Sequence, residues 1–273
     1  KMVIIMLYKR VLSAIIFFII IAIFIFGGSI PFFGFVCVLS ILGIREYVNL
    51  LPEDFMKNKW LLILLSLLMV SYIYLVNNEY LNLPLGLIII FIFLFMFIYH
   101  IALNSYHNII YNLGINLLGL LYISGGMSIF ILLRDLSIPN FFETAPLWLA
   151  LIATWATDIG AFFTGKYFGK NPLALKISPN KTIEGAIGGI LFNLVAVNIF
   201  VLFLNTFSVY WIIYGVLSAI VAIIGDLFES SLKRDMGVKD TGDLMPGHGG
   251  VLDRFDSIIF SGAFTYYFLI LIL

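Results

Sequence analysis

The sequence predicts an all-α, polytopic integral membrane protein of about nine transmembrane helices, with its N-terminus in the cytoplasm and its C-terminus outside. Three observations carry that expectation. Hydrophobic residues make up 62% of the 273 residues and charged ones only 11%, at a mean hydropathy of +1.11, far from the composition of a soluble domain. Apolar runs approaching the ~17–25 residues that cross a bilayer recur along the whole length. Fourteen of the fifteen Lys and Arg fall on one side once the runs are threaded back and forth, and only Arg134 falls on the other. That split is what the positive-inside rule requires, and removing one early helix would scramble it.

Taken in order, the predicted helices are 11–28, 30–44, 59–76, 83–100, 113–133, 146–166, 184–205, 209–230 and 256–273. The first run is longer than a signal-peptide core and no A-x-A-like cleavage site follows it, so it reads as a retained helix. Between the first and second, Gly27-Gly28-Ser29-Ile30-Pro31 marks either a break or a bend in one long hairpin. Trp60, Tyr72, Tyr74, Tyr99 and Trp148 lie near run ends, where aromatic rings anchor at headgroup level. Asn104, His107, Asn108, Asn112 and Asn116 read as a solvated loop and helix start. Gly114, Gly119, Gly125 and Gly126 suit close packing in lipid. Cys37 is the one cysteine, which excludes an internal disulfide and a cysteine metal cluster. A net charge of zero argues against nucleic acid as a partner. Residues 1–145 read as a membrane scaffold, possible dimer contacts included, and 146–273 as a catalytic region with cytoplasmic loops.

Polar chemistry concentrates in that second region. Ser230–Asp256 carries four of the fifteen basic residues and, with Glu229, six of the fifteen acids, together with five glycines and His248. Asp226, Glu229, Ser230 and Lys233 stand at i, i+3, i+4 and i+7 and share one helical face. Two acids toward the membrane and Lys233 and Arg234 toward water suit a divalent cation beside phosphate oxygens. Gly242, Pro246, Gly247, Gly249 and Gly250 form a turn-rich loop whose amides can face a phosphate, with His248 inside it. Asp253 and Asp256 flank Arg254 just before the last helix and could complete a metal pair. Upstream, Asp158 within a span faces a cavity, a cation or an internal ion pair. Ser178-Pro179-Asn180-Lys181-Thr182 precedes a helix start, where free amides and the helix dipole attract an anionic oxygen. No Walker loop, H-E-x-x-H or C-x-x-C is present. The pattern points to phosphoryl or nucleotidyl transfer by metal positioning, with Ser230 better placed for hydrogen bonding than for attack.

The run Ser230-x-Leu232-Lys233-Arg234, four residues, Lys239-Asp240, Gly242, and then Pro246-x-His248-Gly249-Gly250-x-x-Asp253-Arg254-x-Asp256 resembles the signature of the phosphatidate cytidylyltransferase (CDP-diacylglycerol synthase) family. Met245 stands where that family usually has Leu, Ile or Phe, a soft and similar-sized change. The blocks Asp158-x-Gly160-Ala161-x-Phe163-x-Gly165 and Ser178-Pro179-x-Lys181-Thr182-x-Glu184-Gly185 also resemble the family. The likeness covers the final 120 or so residues well, and the rest only as hydrophobic helices.

The resemblance implies a magnesium-dependent enzyme of the inner (plasma) membrane, its site facing the cytoplasm. It would join CTP and phosphatidate into CDP-diacylglycerol and pyrophosphate, commonly as a homodimer. It implies that Asp226, Asp253 and Asp256 hold Mg²⁺ at two positions, with Glu229 and Asp158 as further ligands or as orienters of basic groups. Lys233, Arg234, Lys239 and Arg254 would neutralise the triphosphate and the lipid phosphate. Ser178, Lys181, Thr182, Ser230, Gly249 and Gly250 would contact phosphate, and His248 would shape the nucleotide loop. A different lipid phosphate acceptor, such as an isoprenoid ether lipid, or a CTP-using lipid kinase, keeps the same chemistry. An ion-coupled transporter would also use intramembrane acids, but its polar residues should reach both faces of the bilayer.

Overall fold

The computed structural model describes residues 2–52, 58–103, 108–244 and 249–272, with side chains of the first helix described for Ser13 and from Ile15 onward. His248, His107, Asn104 and Met245 lie outside the described residues. The chain forms α1 (Met2–Phe26), α2 (Ser29–Leu50), α3 (Lys59–Asn77), α4 (Leu87–Ala102), and α5 (Ile109–Gly119), which continues through one π-helical turn (Leu120–Gly125) into α6 (Gly126–Asp135). There follow α7 (Ala145–Phe168), β1 (Pro172–Ala174), β2 (Ser178–Thr182), α8 (Ile183–Phe203), α9 (Val209–Asp235) and α10 (Leu252–Ile272).

Each predicted hydrophobic run lies on a helix. Among the described residues, seven helices are long and apolar enough to cross a membrane, while the described part of α1 and all of α4 are shorter. The protein is thus an all-α polytopic membrane protein, with one small addition. Ser178–Thr182, expected only as the approach to a helix start, is a strand pairing antiparallel with β1, Pro172 opposite Thr182 and Ala174 opposite Ser178. Pro179 explains it, because a proline holds its own φ and drives the residue before it out of the helical region.

Local chemistry sets the boundaries. Gly27-Gly28 is a true break: Gly28 adopts φ +105, where L side chains are strained, and Pro31 sits in the first turn of α2, which needs no donor. Asn58 caps α3 by accepting from the Leu61 amide at 3.1 Å, and Thr182 caps α8 by accepting from Gly185 at 3.1 Å. Two predicted ends move. α2 runs on to Leu50 and takes in Glu46, and α10 starts at Leu252, so Asp253 and Asp256 are helical and do not precede the helix. Acids in the first turn of a helix are favoured by its dipole.

The chain divides into two compact units. One comprises Lys1–Leu132 with Thr241–Leu252, and the other Leu133–Asp240 with Asp253–Leu273. The first packs Val36, Ile44, Leu65, Val70, Ile123 and Met127 into its core. Inside it Ser124 Oγ donates to Ser66 Oγ at 2.8 Å, and Tyr47 donates to the Ile115 carbonyl at 2.8 Å. Gly119 leaves the space that the Tyr47 ring fills. Asn112 and Asn116, expected in a solvated stretch, are buried within α5.

The second unit packs α7, α8, α9 and α10. Gly188 on α8 leaves room for the Thr164 side chain of α7, and a Cβ on Gly160 would lie 2.7 Å from the Gly188 carbonyl. Helices in lipid gain from such contacts because no hydrophobic effect drives them together. Asn193 donates to the Gly215 carbonyl and to Ser218, both at 2.8 Å, joining α8 to α9. Thr154 meets Ser261 at 2.6 Å and Tyr214 meets Thr265 at 2.7 Å, tying α10 to α7 and α9. Outward, Ile187, Leu191, Val195 and Ile199 form a wholly apolar exposed stripe on α8, the surface a lipid-facing helix presents.

Candidate active site

The second unit gathers the charges. A Cβ on Gly225 of α9 would lie 2.8 Å from the Asp256 carbonyl. That close approach brings the carboxylate face of α9 beside the first turns of α10. Lys233 then reaches two acids at once, pairing with Glu229 one turn back on α9 and with Asp253 on α10 at 2.7 Å. Glu229 is 1% exposed and Lys233 9%. A buried ion pair adds little net stability, because desolvation offsets the attraction, but losing one partner strands the other. Lys233 is therefore held in one place between two carboxylates.

The β-hairpin contributes the second cation. A Cβ on Gly165 would stand 3.2 Å from Thr182 Oγ1, and one on Gly185 would stand 3.0 Å from the Ala161 carbonyl, so α7 and the start of α8 nearly touch. Glu184 closes the intervening link by accepting from the amides of Lys170 and Asn171 at 3.1 and 3.2 Å and from the Asn171 side chain at 2.7 Å. Arg234 Nε donates to the Ile177 carbonyl at 3.1 Å, fastening the hairpin turn to the end of α9. On this frame Lys181 pairs with Asp226, whose other oxygen accepts weakly from Ser230 at 3.4 Å.

Asp158 feels the charges of Asp256, Asp226, Lys181 and Arg254. Asp256 feels those of Asp226, Lys233 and Lys181, and Glu229 those of Asp256, Lys233 and Asp253. Five carboxylates (Asp158, Asp226, Glu229, Asp253, Asp256) thus share one electrostatic neighbourhood with three cations (Lys181, Lys233, Arg254), a formal surplus of two negative charges. Among the described residues no three of His, Cys, Asp and Glu stand close enough together to form a ready-made metal site. The donor chemistry nonetheless fits magnesium, a hard cation that takes one or two carboxylates and completes its shell with water and substrate phosphates.

The other expected site residues fall elsewhere. Arg234 spends its donors on Ile177 and on the Val238 carbonyl at 2.8 Å. Thr182 serves as a helix cap, Ser178 is half-buried in the strand pair, and Lys239 is exposed beyond the end of α9. His248 lies outside the described residues. Gly249 and Gly250 belong to the first unit. There the open space at Gly250 is taken by Glu46, since a Cβ would come within 2.5 Å of Glu46 Oε2. Glu46 was missed in the sequence because α2 was expected to end at residue 44. An acid continuing an apolar helix was the available signal.

Residues 8–272 match the family described as "Cytidylyltransferase family". The chain is similar to proteins described as "Phosphatidate cytidylyltransferase". The Bacillus subtilis (strain 168) protein is 42% identical over 156 residues, 56% of this chain and 57% of the relative. That of Haemophilus influenzae is 46% identical over 128 residues, 45% of this chain and 44% of the relative. That of Staphylococcus aureus (strain COL) is 47% identical over 113 residues, 41% of this chain and 44% of the relative. The matched stretches thus span about half the length of these curated relatives. The family match, running from residue 8 to residue 272, takes in the whole charged cluster, and the chain belongs to the cytidylyltransferase family.

Proposed function

We propose that this protein transfers CMP from CTP to phosphatidate, giving CDP-diacylglycerol and pyrophosphate, at the cytoplasmic face of the membrane. The observation that carries the reading is Lys233 clamped between Glu229 and Asp253 beside a carboxylate-rich neighbourhood. It is supported by the family match and by relatives described as phosphatidate cytidylyltransferases. In this reading all nine helical runs cross the bilayer, α1 and α4 included, with the N-terminus inside and the C-terminus outside. The site then lies where a lipid phosphate and a water-borne nucleotide can meet. Residues 1–145 act as scaffold, with possible dimer contacts, and 146–273 as the catalytic region.

A phosphatidate oxygen attacks the α-phosphorus of CTP in line. The new P–O bond forms as the bond to the β-phosphate oxygen breaks, and pyrophosphate leaves with that electron pair. A phosphate monoester, with a second pKa of about 6, is already anionic near neutral pH, so little base help is needed. The task left to the protein is alignment and charge neutralisation. Lys233, fixed by its two acids, presents its ammonium to the triphosphate, while Arg254, Lys181 and Lys239 offset charge on the lipid phosphate and the leaving pyrophosphate. Asp226 and Asp256, with Asp158 beside them, would hold magnesium at two positions, while Asp253, expected as a third ligand, pairs with Lys233 at 2.7 Å and with Glu229 orients it. When bound, the cations would stabilise charge on the phosphate oxygens.

The test is pyrophosphate release by purified protein in mixed micelles with phosphatidate, Mg²⁺ and each nucleoside triphosphate in turn. Release with CTP alone, lost on omitting lipid or adding EDTA, is the expected result. Folded protein that releases none with any nucleotide would overturn the reading and turn the same acids into evidence for transport.

A further inference from the structure

We infer that Glu46, on α2, is a positioning residue for the transfer: its carboxylate grips both flanks of the glycine-rich segment and sets the start of α10. The inference rests on the reading under Proposed function. It is carried by contacts within the first unit. Glu46 is 9% exposed, on a helix otherwise apolar enough to span a membrane. Its Oε1 accepts from the Val251 amide at 2.8 Å, and its Oε2 from the Leu252 amide at 3.0 Å and Thr241 Oγ1 at 3.2 Å. Thr241 stands before the segment and Val251 and Leu252 after it, so one side chain fastens both ends.

Two glycines fit the same carboxylate. A Cβ on Gly242 would lie 3.1 Å from Oε1, and one on Gly250 2.5 Å from Oε2. These positions lack side chains where the backbone must close on Glu46. The amides at a helix start have no carbonyl of their own helix to serve. Val251, just before α10, brings no side-chain acceptor, so the cap comes from a residue 205 positions away. A burial this costly needs a reason, because a Ser or Asp at position 251 would cap the helix locally. What a distant carboxylate adds is a fixed tie between the segment and α2. Along the chain, Asp253 follows Leu252 directly and Arg254 comes next.

Glu46→Gln keeps the shape but turns an NH₂ group toward donors, and Glu46→Asp shortens the reach by one methylene. The full chain in detergent is compared by amide hydrogen exchange and by steady-state kinetics with phosphatidate, CTP and Mg²⁺. For Glu46→Gln we expect exchange at Val251 and Leu252 about tenfold faster, with the far end of α10 unchanged, as for a local opening. We expect kcat lower by at least about tenfold with KM for CTP within about twofold, the pattern of misalignment and not of lost binding. Glu46→Asp should not restore kcat. Unchanged exchange, full kcat, or a rise in KM alone would each overturn the inference. If Glu46→Gln does not fold, Thr241→Val removes one donor to the same carboxylate and is read by the same exchange and kcat criteria. Wild-type protein without CTP-dependent pyrophosphate release would sink the functional reading, while the exchange measurement would still decide whether Glu46 holds the segment.

Discussion

The two units share neutral polar matches and differ in how much charge they gather. In the first, Ser66 with Ser124, Tyr47 with the Ile115 carbonyl, and Glu46 with the Val251 and Leu252 amides are matches of donor to acceptor, and charge appears sparingly. In the second, carboxylates outnumber the cations among them, and one lysine serves two acids. A group of carboxylates set among fewer cations marks a candidate site for a ligand of opposite charge.

That contrast can be broken most severely at Lys233. Lys233→Met leaves Glu229 and Asp253 buried without their cation, and it should cost about 3–5 kcal/mol of stability as well as turnover. Thermal unfolding in detergent and the pyrophosphate assay together check this, and a stable, active variant would mean that the clamp is ornamental. Asp256→Asn is sharper, since the amide oxygen can still accept from the Ser257 amide as Asp256 does at 2.6 Å. It should remove activity by about 10²–10³-fold, the scale of losing one preorganised electrostatic group, with little change in melting temperature. Retained turnover would take Asp256 out of the metal site.

Packing variants should separate the units by stability alone. Gly188→Ala forces a methyl against Thr164 at the α7–α8 contact and should cost about 1–3 kcal/mol by overpacking, read as a lower melting temperature. Ser124→Ala, in the neutral seam of the first unit, should be the mildest. It removes one interhelical hydrogen bond, about 0.6 kcal/mol on average in membrane proteins, with kcat unaltered. A large kinetic effect from Ser124→Ala would blur the distinction between the two units.

Much of this was legible from residue order. The helix-rich membrane fold follows from apolar runs, and the helical face bearing Asp226, Glu229 and Lys233 is real because α9 covers all three. The family was legible in the spacing of Lys233, Arg234, Asp253 and Asp256. The hairpin was not, because its strands are three and five residues long and hold together through each other and the ends of α7 and α8. Glu46 was not, because nothing near it in the chain reports a partner 205 residues onward.

What the sequence by itself determined is therefore what one dimension can carry: hydropathy, helical periodicity, and the motif that marks the family. What only the tertiary structure decided is which charges meet. Lys181 turned to Asp226 and not outward, Lys233 took both Glu229 and Asp253, and Glu46 took the start of α10. The physical reason is range. Hydrophobic patterning acts through neighbours along a helix, whereas an ion pair or a cap forms over a few ångströms between residues that chain order leaves far apart.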